Sequence, residues 1–403
     1  MVKYIERRKE VRPLLYTLMH KNTEVADIEM NHGYIEKIIT VHNKAHLPTG
    51  VVHDQRHKEI TDHYALDDWW ARRLIPDSRP MIQSALGKLN VFSIRDLSML
   101  GNGLSLTDCY WIKPKCSDLE WKDINFHDNG FSEDVGDALV GTVKSSVIDY
   151  RSPDITTDGY LRKRWKLIDG RPSLMKNEIY ESVTEMIVSK IAKQLDINCV
   201  DYEYMKDGYL TYSVCECFTS PIAELVTAYQ IMQLRPKANH ENDYLHYVNI
   251  CKEHDVDIVP ALDKMITLDY IIANEDRHFG NFGLLRDPDT LEWLGAAPIY
   301  DNGTSLWSTS PMNSLNDEIR CRPFKKTHGE QLGLVTSFDW LDGDMLESAK
   351  QTACELLSGE LAKNRMGEQK CELVAKALCQ RIDRLSEIVM LQRETEDMGM
   401  KFE

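Results

Sequence analysis

Apolar residues return at Ile258, Leu262, Met265, Leu268 and Ile272, the spacing of a helix with one buried stripe. Ile179, Val183, Ile187, Ile191 and Leu195 repeat every fourth position. They predict a second such helix over 178–195, with Glu178, Glu181 and Glu185 on its polar face. Further helical patterns cover 62–74, 79–90, 221–235, 241–254, 344–359 and 370–391. Strand patterns cover Leu14–Met19, Val25–Met30 and Tyr34–Val41, the last two joined at Asn31-His32-Gly33. Residues 161–168 and 173–176 read as strands on either side of Asp169-Gly170. Val200–Met205 and Leu210–Cys215 read as strands around Lys206-Asp207-Gly208. Phe282–Leu285 and Trp293–Ile299 flank Asp287-Pro288-Asp289 and predict a β-hairpin.

That hairpin gives the chain its chemistry. Its ends bring Asn281 and Asp301 to one place, and Asp276 precedes Asn281 with four residues between. Asp301 is followed by Asn302 and Gly303. Phosphoryl transfer needs a carboxylate to orient the attacking hydroxyl, and oxygen ligands for Mg²⁺ on the phosphates. An Asp, an Asn five residues on, and a later Asp-x-Gly reproduce that order. The usual His-Arg before the first Asp is absent; Asn274-Glu275 stand there, and Arg277-His278 follow. Alternatively, Asp276 and Asp289 are loop residues and Asp301 caps a strand. The hairpin together with the second Asp favours catalysis.

Ser152 to Gly159 form a turn-rich loop before the strand pair 161–176, the layout of a loop over phosphates and a lysine reaching them. Lys176 closes the second strand and is the preferred lysine, with Lys166 its competitor. Glu185 is the candidate partner of that lysine; a solvated acidic face is the alternative. Cys215-Glu216-Cys217-Phe218 fall where a hinge would turn backbone groups toward an adenine, with the cysteines as packing residues. His278 would pack or hydrogen-bond beneath its loop, and Arg277 would steady the loop or neutralise the site's acidic charge. Trp69 and Trp70 read as core anchors in preference to an interface patch. Tyr110, Trp111, Trp121, Phe126 and Phe131 suggest a lid or wedge, and 130–141 a linker. Residues 308–335, with Arg320, Arg322, Lys325, Lys326 and His328, read either as a substrate-facing or regulatory loop or as solvated surface.

Composition narrows the setting. The 403 residues suffice for two or three domains, with 42% hydrophobic and 28% charged residues, as in soluble globular chains. A net charge of −16 argues against strong direct nucleic-acid binding and against anionic membranes. Ten cysteines lack a pairing pattern, and Cys215 and Cys217 stand too close and too isolated for a zinc site. The sequence reads as cytoplasmic, with reduced thiols and no membrane span.

Together these residues resemble the HipA family of bacterial serine/threonine kinases, the toxin half of some toxin–antitoxin systems. The resemblance is strongest over Asn274–Asn281 and Pro298-Ile299-Tyr300-Asp301 and spans about residues 142–400. It implies an α+β, two-lobed protein-kinase-like fold with a small β-rich lobe over 142–218 and a large helical lobe over 219–403. Residues 1–141 would form an N-terminal α+β accessory domain. It implies ATP and Mg²⁺, with Asp276 as catalytic base and Asn281 and Asp301 as metal ligands. Lys176, Glu185, Thr157, Asp158, Gly159, Glu216, Phe218 and His278 would line the ATP site. It further implies a protein substrate with a Ser/Thr acceptor, an antitoxin partner, and autophosphorylation at Thr157 or its neighbour Thr156. Other readings are a kinase for a small molecule or phosphoinositide, and a non-catalytic nucleotide-sensing module.

Overall fold

The computed structural model describes residues 14–55, 58–142, 147–207, 210–308, 310, 315 and 320–397. They fall into two units. One runs through Tyr160 and includes Pro288–Leu291; the other holds Leu161–Asp287 and the chain from Glu292.

In the first unit, strands β1 (Leu14–His20), β2 (Thr23–Asn31) and β3 (Tyr34–Val41) form an antiparallel meander. The β2–β3 turn places His32 and Gly33 at φ 48° and 75°, the left-handed pair that matches strand twist. A small hairpin, β4 (Val52–Gln55) with β5 (Lys58–Thr61), precedes helix α1 (His63–Arg72). The Asp62 side chain caps α1 at Tyr64 N–H, and Leu66, Trp69 and Trp70 are buried as core anchors. Helices α2 (Ile82–Lys88) and α3 (Ile94–Leu100) follow.

The aromatic stretch expected to be a lid is instead structural. Tyr110–Pro114 forms β6, which pairs with β1 and completes the sheet order β3-β2-β1-β6. Tyr110 and Ile112 lie in this unit's core. Trp121 and Phe126 are buried on the short helices α4 (Trp121–Ile124) and α5 (Phe126–Asn129). The strand was missed because its partner lies far upstream and no local hairpin signals it. The supposed linker 130–141 contains helix α6 (Asp134–Val140), whose Val135, Ala138 and Leu139 pack into the same core. Gly136 does not interrupt it and is buried within the helix.

The second unit opens with β7 (Lys163–Ile168) and β8 (Arg171–Lys176), turning at Asp169 (φ 50°) and Gly170 (φ 78°). Helix α7 (Ile179–Gln194) follows, then β9 (Glu203–Asp207) and β10 (Leu210–Glu216), giving the antiparallel order β7-β8-β10-β9. The expected β9–β10 turn residue Gly208 lies outside the described residues. Val183, Ile187, Ile191 and Leu195 are fully buried, as the four-residue repeat requires.

The pattern at 221–235 does not give one helix. Glu224–Thr227 is strand β11, and only Ala228–Ile231 (α8) is helical, started by a Thr227–Gln230 capping box. Pairing decides this: β11 hydrogen-bonds to β12 (Gly283–Arg286), which pairs in turn with β13 (Trp293–Ala296). Gly283 is needed there, because a Cβ would come within 2.2 Å of Val226 O on β11. Helices α9 (Asp243–Glu253) and α10 (Val259–Ile272) lie between α8 and β12. After β13 come α11 (His328–Leu332), α12 (Gly343–Ser358), α13 (Glu360–Met366) and α14 (Glu368–Asp397). A continuous apolar core joins α7, α10, α12 and α14 and seats the β12–β13 hairpin through Phe282, Leu284 and Ile299. Part of the polar segment after Asp301 (309, 311–314, 316–319) lies outside the described residues. Among the described residues no helix is long and apolar enough to cross a membrane.

Candidate active site

Helix α10 stops at Ala273, whose φ of 54° turns the chain left-handed. Asn274 N–H folds back to Asp269 O at 3.1 Å. Asp269 therefore sits buried at the negative end of the helix, where a carboxylate is unfavourable without a cation. Arg277 supplies it: Nε meets Asp269 Oδ2 at 3.0 Å and Nη2 meets Oδ1 at 2.9 Å. The same guanidinium donates through Nη1 to Asn281 O (2.9 Å) and Tyr300 O (2.6 Å), and through Nη2 to Asn302 Oδ1. One fully buried side chain thus ties together both ends of the hairpin. Burial works against its charge, yet Asp269 holds its pKa above the ordinary value.

The loop 274–281 is built on this anchor. Asn274 Nδ2 donates to Asp269 Oδ1 (2.9 Å), and Asn274 Oδ1 accepts Asp276 N–H (3.0 Å). Asn281 Nδ2 donates to Asp276 O at 3.1 Å, which leaves its oxygen as the atom available to a cation. His278 Nδ1 accepts Gly280 N–H at 3.0 Å, so this side chain folds under its own loop. Tyr300 OH donates to Gly280 O at 2.8 Å. The Asp276 carboxylate stays partly exposed, at 41%, and accepts from Arg322 Nη1 at 3.1 Å.

Lys176 ends β8, with Lys163 and Ser213 across from it on the neighbouring strands. Its ammonium donates to Glu185 Oε1 and, at 2.7 Å, to Asp301 Oδ1. Ser213 Oγ donates to the other Glu185 oxygen at 2.6 Å. Glu185 is 1% exposed, so it is no part of a solvated face. Burial alone would lower the Lys176 pKa, but Asp301 and Glu185 raise it well above the ordinary value. Burial likewise opposes ionisation of Asp301, yet Lys176 and Lys163 hold its pKa well below the usual carboxylate range. Glu185 is pushed up by burial and by Asp301, against the pull of Lys176. Lys166 lies elsewhere, against Asp207 at 3.3 Å.

Asp301 takes a left-handed φ of 57°, and Tyr202 OH accepts its N–H at 3.4 Å. Beside it, a Cβ on Gly303 would sit 3.1 Å from Glu181 Cβ. Glu181 is pushed up to about 7, first by burial and then by Glu185 and Asp301.

At the end of β10, Phe218 stacks on Tyr300 with ring centroids 5.4 Å apart, and Val200, Tyr202 and Cys215 pack beneath. Cys215 is pushed up to about 12 by burial, which suits packing rather than reactivity. The Glu216 carboxylate points to Arg171 at 3.1 Å. Thr156, Thr157, Asp158 and Gly159 belong to the first unit. Both threonine hydroxyls there are buried and committed: Thr156 Oγ1 donates to Leu104 O (2.8 Å), and Thr157 Oγ1 to Pro153 O (2.9 Å). Arg79 Nε donates to Gly159 O at 2.9 Å, and its Nη2 to Thr157 O.

The structure therefore gathers Asp276, Asn281, Asp301, Lys176, Glu185 and His278 around one hairpin end. Sequence reasoning missed Asp269, Ser213 and Tyr202, and gave Asn274 and Asn302 no role of their own. Asp269 did leave a trace, as the lone charge in the apolar run 265–273. The others make ordinary polar positions whose partners are distant in sequence. Chemically, the arrangement offers a buried ammonium on Lys176, a partly exposed carboxylate on Asp276, and the side-chain oxygens of Asn281 and Asp301. Among the described residues no three potential ligands converge on a metal point. Mg²⁺ bound with phosphates requires only one or two protein oxygens, and the Asn281 and Asp301 oxygens fit that hard-donor chemistry.

Comparison with solved structures finds a likeness to HipA of the Shewanella oneidensis MR-1 toxin–antitoxin system, seen with HipB and operator DNA. It has 12% identity, 92% of this chain and 97% of that one covered, and a TM-score of 0.51. A second likeness is to the Helicobacter pylori proinflammatory kinase CtkA, with 16% identity, 56% and 95% of the two chains covered, and a TM-score of 0.40. No curated protein matches the chain. The family model for the HipA-like C-terminal domain matches residues 149–382, more than half the chain and all of the hairpin site. The chain belongs to the family of proteins with a HipA-like C-terminal domain.

Proposed function

We propose that this protein is a HipA-type serine/threonine protein kinase that uses ATP and Mg²⁺. The supporting observation is the Arg277 fork, which holds the Asp276–Asn281 loop and the Tyr300–Asn302 segment together. Lys176, fixed by Glu185 beside Asp301, binds phosphate oxygens as a point charge. Asp276 orients the acceptor hydroxyl and takes its proton. Asn281 and Asp301 hold Mg²⁺, which when bound neutralises the phosphate oxygens. Glu216 and Phe218 lie at the adenine end. His278 supports the nucleotide side of the catalytic loop.

The family resemblance extends this reading to a toxin with an antitoxin partner, as HipA of Shewanella oneidensis pairs with HipB. It also extends it to autophosphorylation at Thr157 or Thr156. Since both hydroxyls are buried and bonded, that modification requires the loop to leave its seat.

The test is intact mass before and after incubation with Mg²⁺–ATP, for wild type and Asp276→Asn. A phosphate gained by the wild type alone is the expected result. An unmodified wild type that binds ATP and transfers nothing would refute the reading in favour of a nucleotide-sensing module. Growth arrest on expression of wild type, but not of Asp276→Asn, tests the toxin role.

A further inference from the structure

The polar segment after Asp301 includes a tightly built turn. Arg320 and Thr327 form an antiparallel bridge, and Cys321 N–H donates to Lys326 O at 3.0 Å. Gln331, buried on α11, staples the turn from inside. Its Oε1 accepts Phe324 N–H (3.1 Å) and Lys325 N–H (3.3 Å), and its Nε2 donates to Arg322 O (2.9 Å). Phe324 packs edge-on against Phe279 and Phe282, with centroids 5.8 and 6.0 Å away. Those two phenylalanines flank the end of the Asp276–Asn281 loop. The turn is thereby fixed to the loop, and it presents Arg322 to Asp276.

Two further cations of the site, Arg277 and Lys176, are committed. Arg277 is enclosed by Asp269, Asn281, Tyr300 and Asn302, and Lys176 by Glu185 and Asp301. Arg322 is 62% exposed, and one of its N–H groups meets Asp276 Oδ1. An ion pair between side chains this exposed adds little to stability. A structural role thus gives no reason for so elaborate a support.

Resting on the kinase reading of Asp276, we propose that Arg322 is the positioning cation of the transfer step. One N–H fixes Oδ1 of Asp276, which leaves Oδ2 to accept the proton of the acceptor hydroxyl. That hydroxyl oxygen bonds to the γ-phosphorus. The bond from phosphorus to the bridging β–γ oxygen breaks, and its electron pair leaves with ADP. The remaining guanidinium N–H groups face a γ-phosphate oxygen and offset the repulsion between it and the Asp276 carboxylate.

The test uses the full chain with Mg²⁺–ATP, reading ADP release and phosphate gain by intact mass. Variants are Arg322→Gln, Arg322→Lys and Asp276→Asn. Arg322→Gln is expected to lower kcat about 10²-fold, the scale of losing one transition-state donor, with KM for ATP within about twofold. Arg322→Lys is expected to restore roughly tenfold of that loss, because a point charge replaces part of the fork. The unfolding midpoint should not move for either variant. A wild-type or higher rate in Arg322→Gln, or a lysine variant as slow as the glutamine one, overturns the role of Arg322 while the kinase reading stands. A wild type inert toward Mg²⁺–ATP, or an Asp276→Asn variant as active as wild type, overturns the kinase reading and this proposal with it.

Discussion

Arg277→Met is the sharpest perturbation of the site. The methionine fills the volume of the side-chain stem but removes every N–H. Asp269, fully buried, is then left as an uncompensated carboxylate at a helix C-terminus. Breaking one side of such a pair typically costs about 3–5 kcal/mol. For a unit of this size that corresponds to a drop of roughly 6–20 °C in melting temperature. The carbonyls of Asn281 and Tyr300 and the oxygen of Asn302 also lose their donor, so both ends of the hairpin come loose. Urea unfolding monitored by fluorescence gives the stability, and ATP binding by calorimetry gives the state of the site. Asp269→Leu in the Arg277→Met background removes the stranded charge. It is expected to recover much of the stability, because replacing both partners is far cheaper than removing one. It should not recover ATP binding or turnover, since the carbonyls remain untied. A loss below about 1 kcal/mol for Arg277→Met would refute the reasoning, as would full recovery of turnover in the double variant.

Other outcomes follow from the same geometry. Glu185→Gln keeps the shape of the buried pair but leaves Lys176 with Asp301 alone, so turnover should fall roughly 10²-fold through misplacement of the ammonium; single-turnover kinetics measures this. Glu181, pushed up to about 7 from its ordinary 4.5, keeps a proton in the folded state that the unfolded chain gives up. Its stabilising contribution is therefore full below about pH 4.5 and is lost as pH rises through about 7. Melting curves of wild type and Glu181→Gln, taken without nucleotide, should diverge over that window, with the variant the flatter of the two. Arg79→Ala frees the carbonyls of Thr157 and Gly159. Amides 156–160 should exchange faster by deuterium uptake, and Thr156 or Thr157 should gain phosphate more readily by peptide mapping; unchanged exchange would show that the arginine does not hold the loop.

Legibility in the sequence depended on whether a signal was local. The four-residue repeat of α7 and the apolar stripe of α10 need only their own residues, and both helices lie where the pattern put them. The β12–β13 hairpin carries its own turn, Asp287-Pro288-Asp289, so the approach of Asn281 to Asp301 could be foreseen from spacing alone. Strands β6 and β11 failed for the opposite reason. Each is made a strand by an edge it meets far along the chain, β1 for one and β12 for the other, and neither has a turn to announce the pairing. The face of α7 shows a finer limit. Periodicity assigned Glu185 to the polar side, and the side is right, but that side is covered by β10 and Lys176, so polar did not mean solvated.

The same distinction explains how a chain of net charge −16 can carry a local cluster of cations beside Asp276 and Asp301. Total charge measures long-range repulsion, which salt screens within about 10 Å. Among the described residues, four cations act on the site at short range. Lys176 and Arg277 are buried and locked by carboxylates, so they set geometry as much as potential. Lys163 stands across the sheet from Lys176 and helps hold Asp301 ionised. Arg322 remains open to solvent, on a turn that also exposes Arg320, Lys325 and Lys326. This turn sets basic side chains beside the Asp276 carboxylate, which Arg322 meets directly. On the kinase reading proposed above, charge reversal at Lys325 and Lys326 should change initial rates of phosphorylation of acidic against basic peptides far more than equal changes elsewhere on the surface; equal effects from both sets of variants would refute this.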